Sequence, residues 1–430
     1  MHYFSTNRRS PSVSFRDATL SGQPVDRGLY FPESIPAIPE DFAAGLKQIT
    51  NAEIAFRVIQ PFTGASIPEN VLHRICGETV DFDVPLVKVS DQIYSLELFH
   101  GPTLAFKDVG ARFMSRCLQY FSETSDRKTI VVVATSGDTG GAVAAGFHGV
   151  DGVEVVILYP KGKVSKVQEL QLTTLDGNIT ALEVRGNFDD CQAMAKQALA
   201  DADLNKKARI TSANSINIAR WLPQQFYYFF ALKQWDNSPP IFSVPSGNFG
   251  NLAAGILAHL SGLPVKGFIA ACNANDVVPR FLETGEYVPK PSVATLSNAM
   301  DVGDPSNFIR VLEIFDQNIE SLKKTVMATS VSDAATSATI REVYEKYGYI
   351  LDPHGAVAYR ALEDHLKSDS RQKGIILETA HPIKFESVAE ILGRSPQVPT
   401  VVEDLFSKKK VSIEIQRDYV DLKEILISKI

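Results

Sequence analysis

From residue 129 onward, short runs of β-branched residues alternate with amphipathic segments long enough to be helices. Parallel strands need a long crossover between them, so this alternation is typical of a parallel sheet covered by helices. The strand candidates, each bounded by glycine, proline or polar turn residues, are 130–134, 154–158, 179–184, 241–244, 266–272 and 374–378. The helix candidates are 140–147, 189–200, 215–233, 252–260, 333–347 and 354–367. The sequence therefore predicts an α/β fold.

The long interval between the third and fourth strand candidates contains an aromatic segment, Phe-Tyr-Tyr-Phe-Phe, at 226–230. It indicates that the strands are divided between two open parallel sheets flanked by helices, with a cleft between the two lobes. Residues 1–85 lack the alternation, and we expect them to form an N-terminal subdomain. Residues 86–395 would be the two-lobed main domain. Residues 396–430 would be a C-terminal extension, in which the basic run at 408–410 is expected to face solvent.

The overall charge excludes some classes of partner. The 430 residues include 43 Lys and Arg against 50 Asp and Glu, so there is no general positive field to hold a nucleic-acid backbone. The first residues lack the apolar core of a signal peptide, and no run approaches the roughly 18 apolar residues of a membrane span. The four cysteines form no C-x-x-C pair, so neither a metal site nor a disulfide framework is predicted. We expect a cytoplasmic protein that acts on a small molecule.

Two strand-to-helix turns have the composition of anion-binding loops. They are Thr-Ser-Gly-Asp-Thr-Gly-Gly at 135–141 and Pro-Ser-Gly-Asn-Phe-Gly-Asn at 245–251. Open parallel sheets bind ligands at the carboxyl ends of their strands, where glycines allow close approach and helix N-termini supply free N–H groups. Each turn fits equally well as a simple capped turn, and neither has dinucleotide or Walker spacing. Two such loops in one chain favour a phosphorylated cofactor, a phosphorylated substrate, or both.

The last strand candidate ends in Glu-Thr-Ala-His-Pro at 378–382. The hydroxyl of Thr379 could bond a ring nitrogen at the bottom of the cleft. In isolation, however, a threonine at a strand end is more often only a β-branched residue in its preferred place. His381 is likewise more often a structural histidine than a catalytic one.

Lys107 lies in the segment Phe-His-Gly-Pro-Thr-Leu-Ala-Phe-Lys-Asp at 99–108, close to the start of a predicted helix. The positive end of the helix dipole disfavours an ammonium there and would lower the pKa of the amine. Such an amine is a good nucleophile toward a carbonyl. Taken alone, a surface lysine beside Asp108 is the commoner arrangement.

Together these segments resemble the threonine synthases, which are pyridoxal-phosphate enzymes of the tryptophan synthase β-subunit-like fold, also called fold type II. The segment 98–108 is similar to the family's cofactor-lysine segment, and 135–141, 245–251 and 378–385 are similar to its other signatures. Further similarity is found at 28–32, at 214–217 with Arg220, and at 303–308. The resemblance extends over most of the chain, and it implies that 86–395 is the catalytic domain.

The resemblance also implies roles for individual residues. Lys107 would bind pyridoxal 5′-phosphate covalently, and Thr379 would face the ring nitrogen. The residues that would hold the cofactor phosphate are Gly247, Asn248, Phe249, Gly250 and Asn251. The loop at 135–139, with Ser136 and Thr139 as donors, would hold the substrate carboxylate, and Asp138 is a further expected substrate-binding residue. Further substrate contacts, including those to a phosphate, are expected from Thr103, Asn217, Arg220 and Lys384.

The implied reaction converts O-phospho-L-homoserine and water into L-threonine and phosphate by β,γ-elimination and replacement, the last step of threonine biosynthesis. This is carbon–oxygen lyase chemistry in which Lys107 acts as the general base. The nearest alternative is a dehydratase acting on serine or threonine, or a β-replacing synthase, with the same fold. An alternative of another class is a diverged relative that only binds a phosphorylated ligand. The sequence leaves open whether the protein is a monomer or a homodimer.

Overall fold

The computed structural model describes residues 1–123 and 127–430. The strands are β1 His2–Ser5, β2 Val13–Ser14, β3 Tyr30–Pro32, β4 Leu86–Lys88, β5 Ile93–Glu97, β6 Thr129–Ala134, β7 Val153–Pro160, β8 Ile179–Arg185, β9 Arg209–Ser212, β10 Ile241–Pro245, β11 Gly267–Cys272, β12 Val326–Ser330, β13 Gly374–Glu378 and β14 Ile413–Gln416.

The helices of the first half are α1 Phe15–Ser21, α2 Glu40–Ala44, α3 Asn51–Thr63, α4 Glu69–Thr79, α5 Lys107–Ser122, α6 Asp138–Phe147, α7 Lys166–Thr173, α8 Phe188–Ala200 and α9 Ala202–Lys207. Those of the second half are α10 Ile218–Trp221, α11 Phe226–Lys233, α12 Gly250–Leu260, α13 Val277–Thr284, α14 Phe308–Ile314, α15 Ile319–Thr325, α16 Asp333–Tyr347, α17 Pro353–Leu366, α18 Glu386–Leu392, α19 Thr400–Phe406 and α20 Tyr419–Ser428. None of the helices in the described part of the chain combines the length and apolar composition needed to cross a membrane.

The strands form three sheets. A small antiparallel sheet has the order β2-β1-β3 and belongs to the N-terminal region. A six-stranded sheet has the order β12-β11-β10-β13-β5-β4 and is parallel except for β4. A five-stranded sheet has the order β14-β8-β7-β6-β9 and is wholly parallel. The predicted two-lobed α/β fold is therefore confirmed, and all six strand candidates lie in the two large sheets.

The predicted single helix over 215–233 is wrong. The segment consists of α10, a 3₁₀ turn at Leu222–Gln225, and α11. Pro223 begins this turn region and has no N–H to donate to a carbonyl one turn earlier, which interrupts a regular helix. The aromatic residues at 226–230 are all buried, as expected for a helix that is apolar on every side.

The N-terminal region shares a hydrophobic core with the main domain. Phe15 of α1 packs edge-on against Phe113 and Phe121 of α5, with ring centroids 6.5 and 6.3 Å apart. One contiguous cluster of buried residues includes these rings and the aromatic residues of α11. The division at residues 85 and 395 stays a prediction.

The basic run at 408–410 only partly fits the predicted solvated face. Lys408 and Lys409 are exposed, whereas Lys410 donates to Glu169 on α7 at 2.6 Å and to Glu183 on β8 at 3.0 Å. The expectation is therefore wrong for Lys410, because β14 adds to the edge of the five-stranded sheet beside β8 and brings this lysine over two carboxylates.

Candidate active site

Four segments that the sequence singled out follow the carboxyl ends of strands. The strands β5, β13 and β10 are neighbours in the six-stranded sheet, and β6 supplies the fourth segment from the other lobe. Residues 104–106 pair with residues 379–381: the N–H of Phe106 donates to the carbonyl of Thr379 at 2.9 Å, and the N–H of His381 donates to that of Leu104 at 3.0 Å. This pairing holds the turn before Lys107 against the end of β13. Lys107 is the first residue of α5, close to its predicted place at a helix start.

Lys107 has the environment of a reactive amine. Its side chain is 17% exposed, and its Nζ lies 3.7 Å from Oδ2 of Asp138. Burial lowers the pKa of Lys107, and the charges of Lys384 and Arg220 lower it further, while Asp138 opposes the shift. The direction agrees with the sequence prediction, although burial rather than the helix dipole is the main cause.

Asp138 is shared between two lysines. Nζ of Lys384 donates to Oδ1 of Asp138 at 2.7 Å and also to the carbonyl of Thr103 at 2.8 Å, and this lysine side chain is fully buried. Burial disfavours the Asp138 charge, but Lys384 and Lys107 outweigh it and hold the pKa of Asp138 well below its ordinary value. The carboxylate is therefore ionised, and it neutralises only part of the positive charge around it.

The loop at 135–141 is held from within. The hydroxyl oxygen of Thr135 accepts the N–H groups of Gly137 and Gly140, at 3.0 and 2.8 Å. Gly137 is the N-cap of α6, and no side chain in the described part of the chain caps this helix. The hydroxyls of Ser136 and Thr139 are half-buried and have no partner among the described residues. They are therefore available to an anion at the helix N-terminus.

Two glutamines of α7 complete this part of the site, and the sequence analysis missed both. Nε2 of Gln168 donates to Asp138 Oδ1, and Nε2 of Gln171 donates to the carbonyl of Thr103, each at 2.9 Å. Both side chains are buried. A Cβ on Gly137 would lie 2.4 Å from the Gln168 amide carbon, so a side chain at 137 would displace that glutamine. The available signal was two glutamines three residues apart in an otherwise amphipathic segment, which places them on one helix face.

Two of the predicted substrate contacts are occupied by bonds within the protein. The hydroxyl of Thr103 donates to Asp108, and the N–H of Thr103 donates to the same carboxylate at 2.9 Å. The Asn217 amide donates to the carbonyls of Thr19 and Ser212, and its oxygen caps α10 by accepting from Ala219. These contacts give both residues a supporting role, and direct substrate contact by either of them stays a prediction.

Arg220 is buried, and its guanidinium makes few hydrogen bonds to the described residues. In the described part of the chain its guanidinium donates only to the carbonyl of Lys107, at 3.4 Å. Burial lowers its pKa to about 10, so it remains charged at neutral pH. A buried guanidinium with free donors beside the reactive lysine is well suited to an anionic ligand.

The loop at 245–251 has the features of a phosphate cradle. Phe249 takes a left-handed conformation, with φ at 63°, and is the N-cap of α12. A Cβ on Gly247 would lie 2.4 Å from the Cα of Met300, so only glycine fits there. Oδ1 of Asn248 accepts from the N–H and the hydroxyl of Ser306, at 2.8 and 2.7 Å, which fixes the loop. Nδ2 of Asn251 is buried and has no partner among the described residues, so it can donate to a bound group.

Thr379 lies at the end of β13, between the loop of Lys107 and the loop at 245–251. It is 7% exposed, and its hydroxyl has no partner among the described residues, whereas its carbonyl accepts from Phe106. A buried lysine, a loop with unpaired donors at a helix N-terminus, and a free hydroxyl between them fit a phosphorylated pyridine aldehyde. The residues present therefore fit pyridoxal 5′-phosphate.

Comparisons with known proteins agree with this chemistry. The sequence model of the family described as "Pyridoxal-phosphate dependent enzyme" matches residues 84–378. Those described as "Threonine synthase N terminus" and "Threonine synthase, C-terminal" match residues 2–80 and 355–426. Threonine synthase of Haemophilus influenzae is 43% identical over 99% of this chain and 100% of its own.

Two solved structures match the whole architecture. The crystal structure of threonine synthase from Escherichia coli superimposes with a TM-score of 0.93 at 42% identity, covering 100% of both chains. That of PLP-bound threonine synthase from Brucella melitensis superimposes with a TM-score of 0.92 at 34% identity, covering 99% of this chain and 98% of its own. The fold and the site thus define a pyridoxal-phosphate-dependent lyase of fold type II. Within that class, the chain belongs to the threonine synthase family, whose activity is threonine formation.

Proposed function

We propose that the enzyme acts on O-phospho-L-homoserine. A proton is removed from Cβ and the Cγ–O bond is cleaved, which releases phosphate. Cγ then gains a proton and the hydroxyl of water is added at Cβ, so that the products are L-threonine and inorganic phosphate. We also propose that it does so in the cytoplasm, as a monomer or a homodimer. The observation that carries the substrate assignment is the surplus of buried positive charge: the three cations Lys107, Arg220 and Lys384 face two buried carboxylates, Asp138 and Asp108. A substrate with both a carboxylate and a phosphate would neutralise that surplus.

The cofactor is assigned to three elements. Lys107 would bind its aldehyde carbon, residues 247–251 would hold its phosphate, and Thr379 would face its ring nitrogen. When bound, pyridoxal phosphate supplies an electron-withdrawing ring that stabilises negative charge on the carbons next to the substrate amino group. A neutral hydroxyl at Thr379 leaves the ring nitrogen largely unprotonated, which moderates that withdrawal.

Lys107 is the assigned base for the proton on Cα. Its amine is buried and its pKa is lowered, so it gives up its proton more readily than an exposed lysine does. Once Lys107 has accepted the proton, Asp138 stabilises the ammonium from 3.7 Å away. The pair can therefore hold a proton inside the site until it passes to solvent or back to the substrate.

The carboxylate and the phosphate of the substrate are assigned to two different sets of residues. Ser136 and Thr139 would hold the carboxylate through hydroxyls that have no partner among the described residues, together with the positive end of the α6 dipole. Arg220 and Lys384 would bind the phosphate, the guanidinium through its free donors and the ammonium by leaving Asp138 or sharing it. Gln168 then keeps Asp138 in place when Lys384 turns to the phosphate.

The assignment is tested by NMR of the full-length holoenzyme with O-phospho-L-homoserine in heavy water. We expect one phosphate released for each threonine, with deuterium at Cα and Cγ of the product. A Lys107→Ala variant should release neither product. Phosphate together with 2-oxobutyrate would instead indicate elimination without addition of water, and would favour the dehydratase alternative.

A further inference from the structure

Arg310 of α14 is a fully buried cation. Its guanidinium donates to the carbonyls of Ser215 and Ile216 at 2.9 and 2.8 Å, to the carbonyl of Tyr30 at 3.2 Å, and to Oδ1 of Asn307 at 2.6 Å. All these acceptors are uncharged, and no carboxylate in the described part of the chain forms an ion pair with it. Burial lowers its pKa to about 9, so it is still protonated at neutral pH. A buried charge without a counter-charge is costly, and such a residue implies an anion nearby.

Arg310 reaches the loop at 247–251 by two separate routes. In the first, the amides of Asn307 and Asn248 both donate to the hydroxyl oxygen of Ser215, at 2.9 and 3.1 Å, and the carbonyl of the same serine accepts from Arg310. In the second, the guanidinium lies 4.3 Å from the ring centroid of Trp221, whose indole N–H donates to the carbonyl of Gly250 at 3.1 Å. The guanidinium is therefore separated from the start of α12 by a single layer of side chains.

We propose that Arg310 is a positioning residue for the cofactor phosphate. It supplies the positive charge that complements the phosphate from beneath the loop, and it fixes the loop through Ser215 and Trp221. The inference rests on the assignment of residues 247–251 to that phosphate. It also explains why three sequence segments outside the catalytic loops resemble the family, since residues 28–32, 214–217 and 303–308 each supply an acceptor to this one guanidinium.

The positive charge of Arg310 distinguishes the proposed role from that of a residue that only holds neighbouring segments together by hydrogen bonds. Carbonyl acceptors are satisfied by neutral donors, so hydrogen bonding alone does not require a guanidinium at this place. A fixed positive charge in a dry layer interacts strongly with a phosphate because little water screens it. The contact with Tyr30 further links the N-terminal sheet to cofactor affinity, because the carbonyl of Tyr30 in β3 orients the Arg310 guanidinium.

The test compares pyridoxal phosphate with pyridoxal, which has the aldehyde and the ring but no phosphate. The full-length chain is stripped of cofactor, and the Kd for each compound is measured from the visible absorption of the lysine-bound ring. For Arg310→Gln we expect the Kd for pyridoxal phosphate to rise at least about tenfold, and that for pyridoxal to change less than about twofold. Arg310→Lys, which keeps the charge, should retain most of the preference for the phosphorylated form.

Two further variants make the result decisive. Asn307→Asp keeps Arg310 and its carbonyl acceptors, places a carboxylate against the guanidinium and removes the amide that donates to Ser215. It should therefore also weaken the binding of pyridoxal phosphate selectively, and it serves if Arg310→Gln does not fold. Gly247→Ala tests the loop assignment itself. An equal loss of affinity for both compounds in Arg310→Gln and Arg310→Lys, or no loss in Asn307→Asp, overturns the proposal for Arg310. Failure of Gly247→Ala to affect the phosphate preference overturns the loop assignment instead.

Discussion

Lys384 donates to Asp138 at 2.7 Å from the far end of the chain, after the last strand of the six-stranded sheet, while Asp138 begins a helix in the other lobe. The bond thus crosses the cleft between the two lobes. Because Lys107 approaches the other oxygen of the same carboxylate, a ligand that removes Lys384 from Asp138 changes the electrostatic environment of the reactive amine. Binding of an anion and the proton affinity of Lys107 are therefore coupled through Asp138.

Replacing Lys384 by Met should weaken binding of the phosphorylated substrate more than it slows turnover. The side chain has similar length, but the charge is lost, and a charge-assisted bond to an anion contributes about 1.5–3 kcal/mol. We therefore expect KM for O-phospho-L-homoserine to rise at least about tenfold. Steady-state kinetics measure this, with Lys423→Met, which removes a surface lysine bonded to Asp201, as the matched control. An unchanged KM would contradict the phosphate assignment of Lys384.

Replacing Asp138 by Asn should lower the pKa of Lys107 further. The carboxylate opposes the downward shift that burial, Lys384 and Arg220 produce, so its removal takes away a negative charge that stabilises the ammonium. The measurement is the pH dependence of borohydride-trapped pyridoxal on the cofactor-stripped protein. Its onset should move to lower pH in Asp138→Asn. An onset that moves to higher pH, or does not move, would show that Asp138 does not set the protonation of Lys107.

Much of this site is predictable from local sequence. The loops at 135–141 and 245–251 combine glycines and hydrogen-bonding side chains directly after apolar runs, and each signal lies within seven residues. By contrast, Gln168 and Arg310 act on partners that are distant in sequence. Gln168 lies 30 residues from Asp138, and Arg310 lies 280 residues from Tyr30. No local pattern specifies such pairs.

A similar distinction explains most of the strands, although the interior strand β5, which contains Ser95 and Glu97, was also missed. The central strands β6, β7, β10 and β13 are buried on both faces and read as continuous apolar runs, and all were predicted. The strands β9, β12 and β14 lie at sheet edges, and they contain polar residues such as the half-buried Arg209 and the exposed Glu414. Edge strands carry polar residues because one side lacks a partner, so their sequences do not differ clearly from loops.

Replacing Gly247 by Ala should impair cofactor binding, whereas replacing Gly77 by Ala should not. A Cβ at 247 would lie 2.4 Å from the Cα of Met300, so the loop or the Met300 backbone must move. A Cβ at Gly77, inside α4, meets nothing within 4 Å, and alanine there should stabilise the fold by up to about 1 kcal/mol. Cofactor content after dialysis and the melting temperature measure the two effects. Equal cofactor retention in both variants would show that the close approach at Met300 does not matter for the loop.

The last prediction concerns acid stability and His381. Burial lowers the pKa of His381 to about 4, below its ordinary value of 6.5, so between these pH values the unfolded chain binds a proton that the folded chain excludes. Stability should therefore fall as the pH falls from about 6.5 to about 4, by at most about 1.4 kcal/mol per pH unit from this residue. The variant His381→Asn removes the titration but retains an acceptor for the N–H of Ile383, which the imidazole caps in the native protein. Urea unfolding at several pH values should show a shallower pH dependence for His381→Asn than for the native chain, with the exposed His2→Asn as control. If the free energy of unfolding changed equally with pH in His381→Asn and in the native protein, another group would dominate the loss of stability at acid pH.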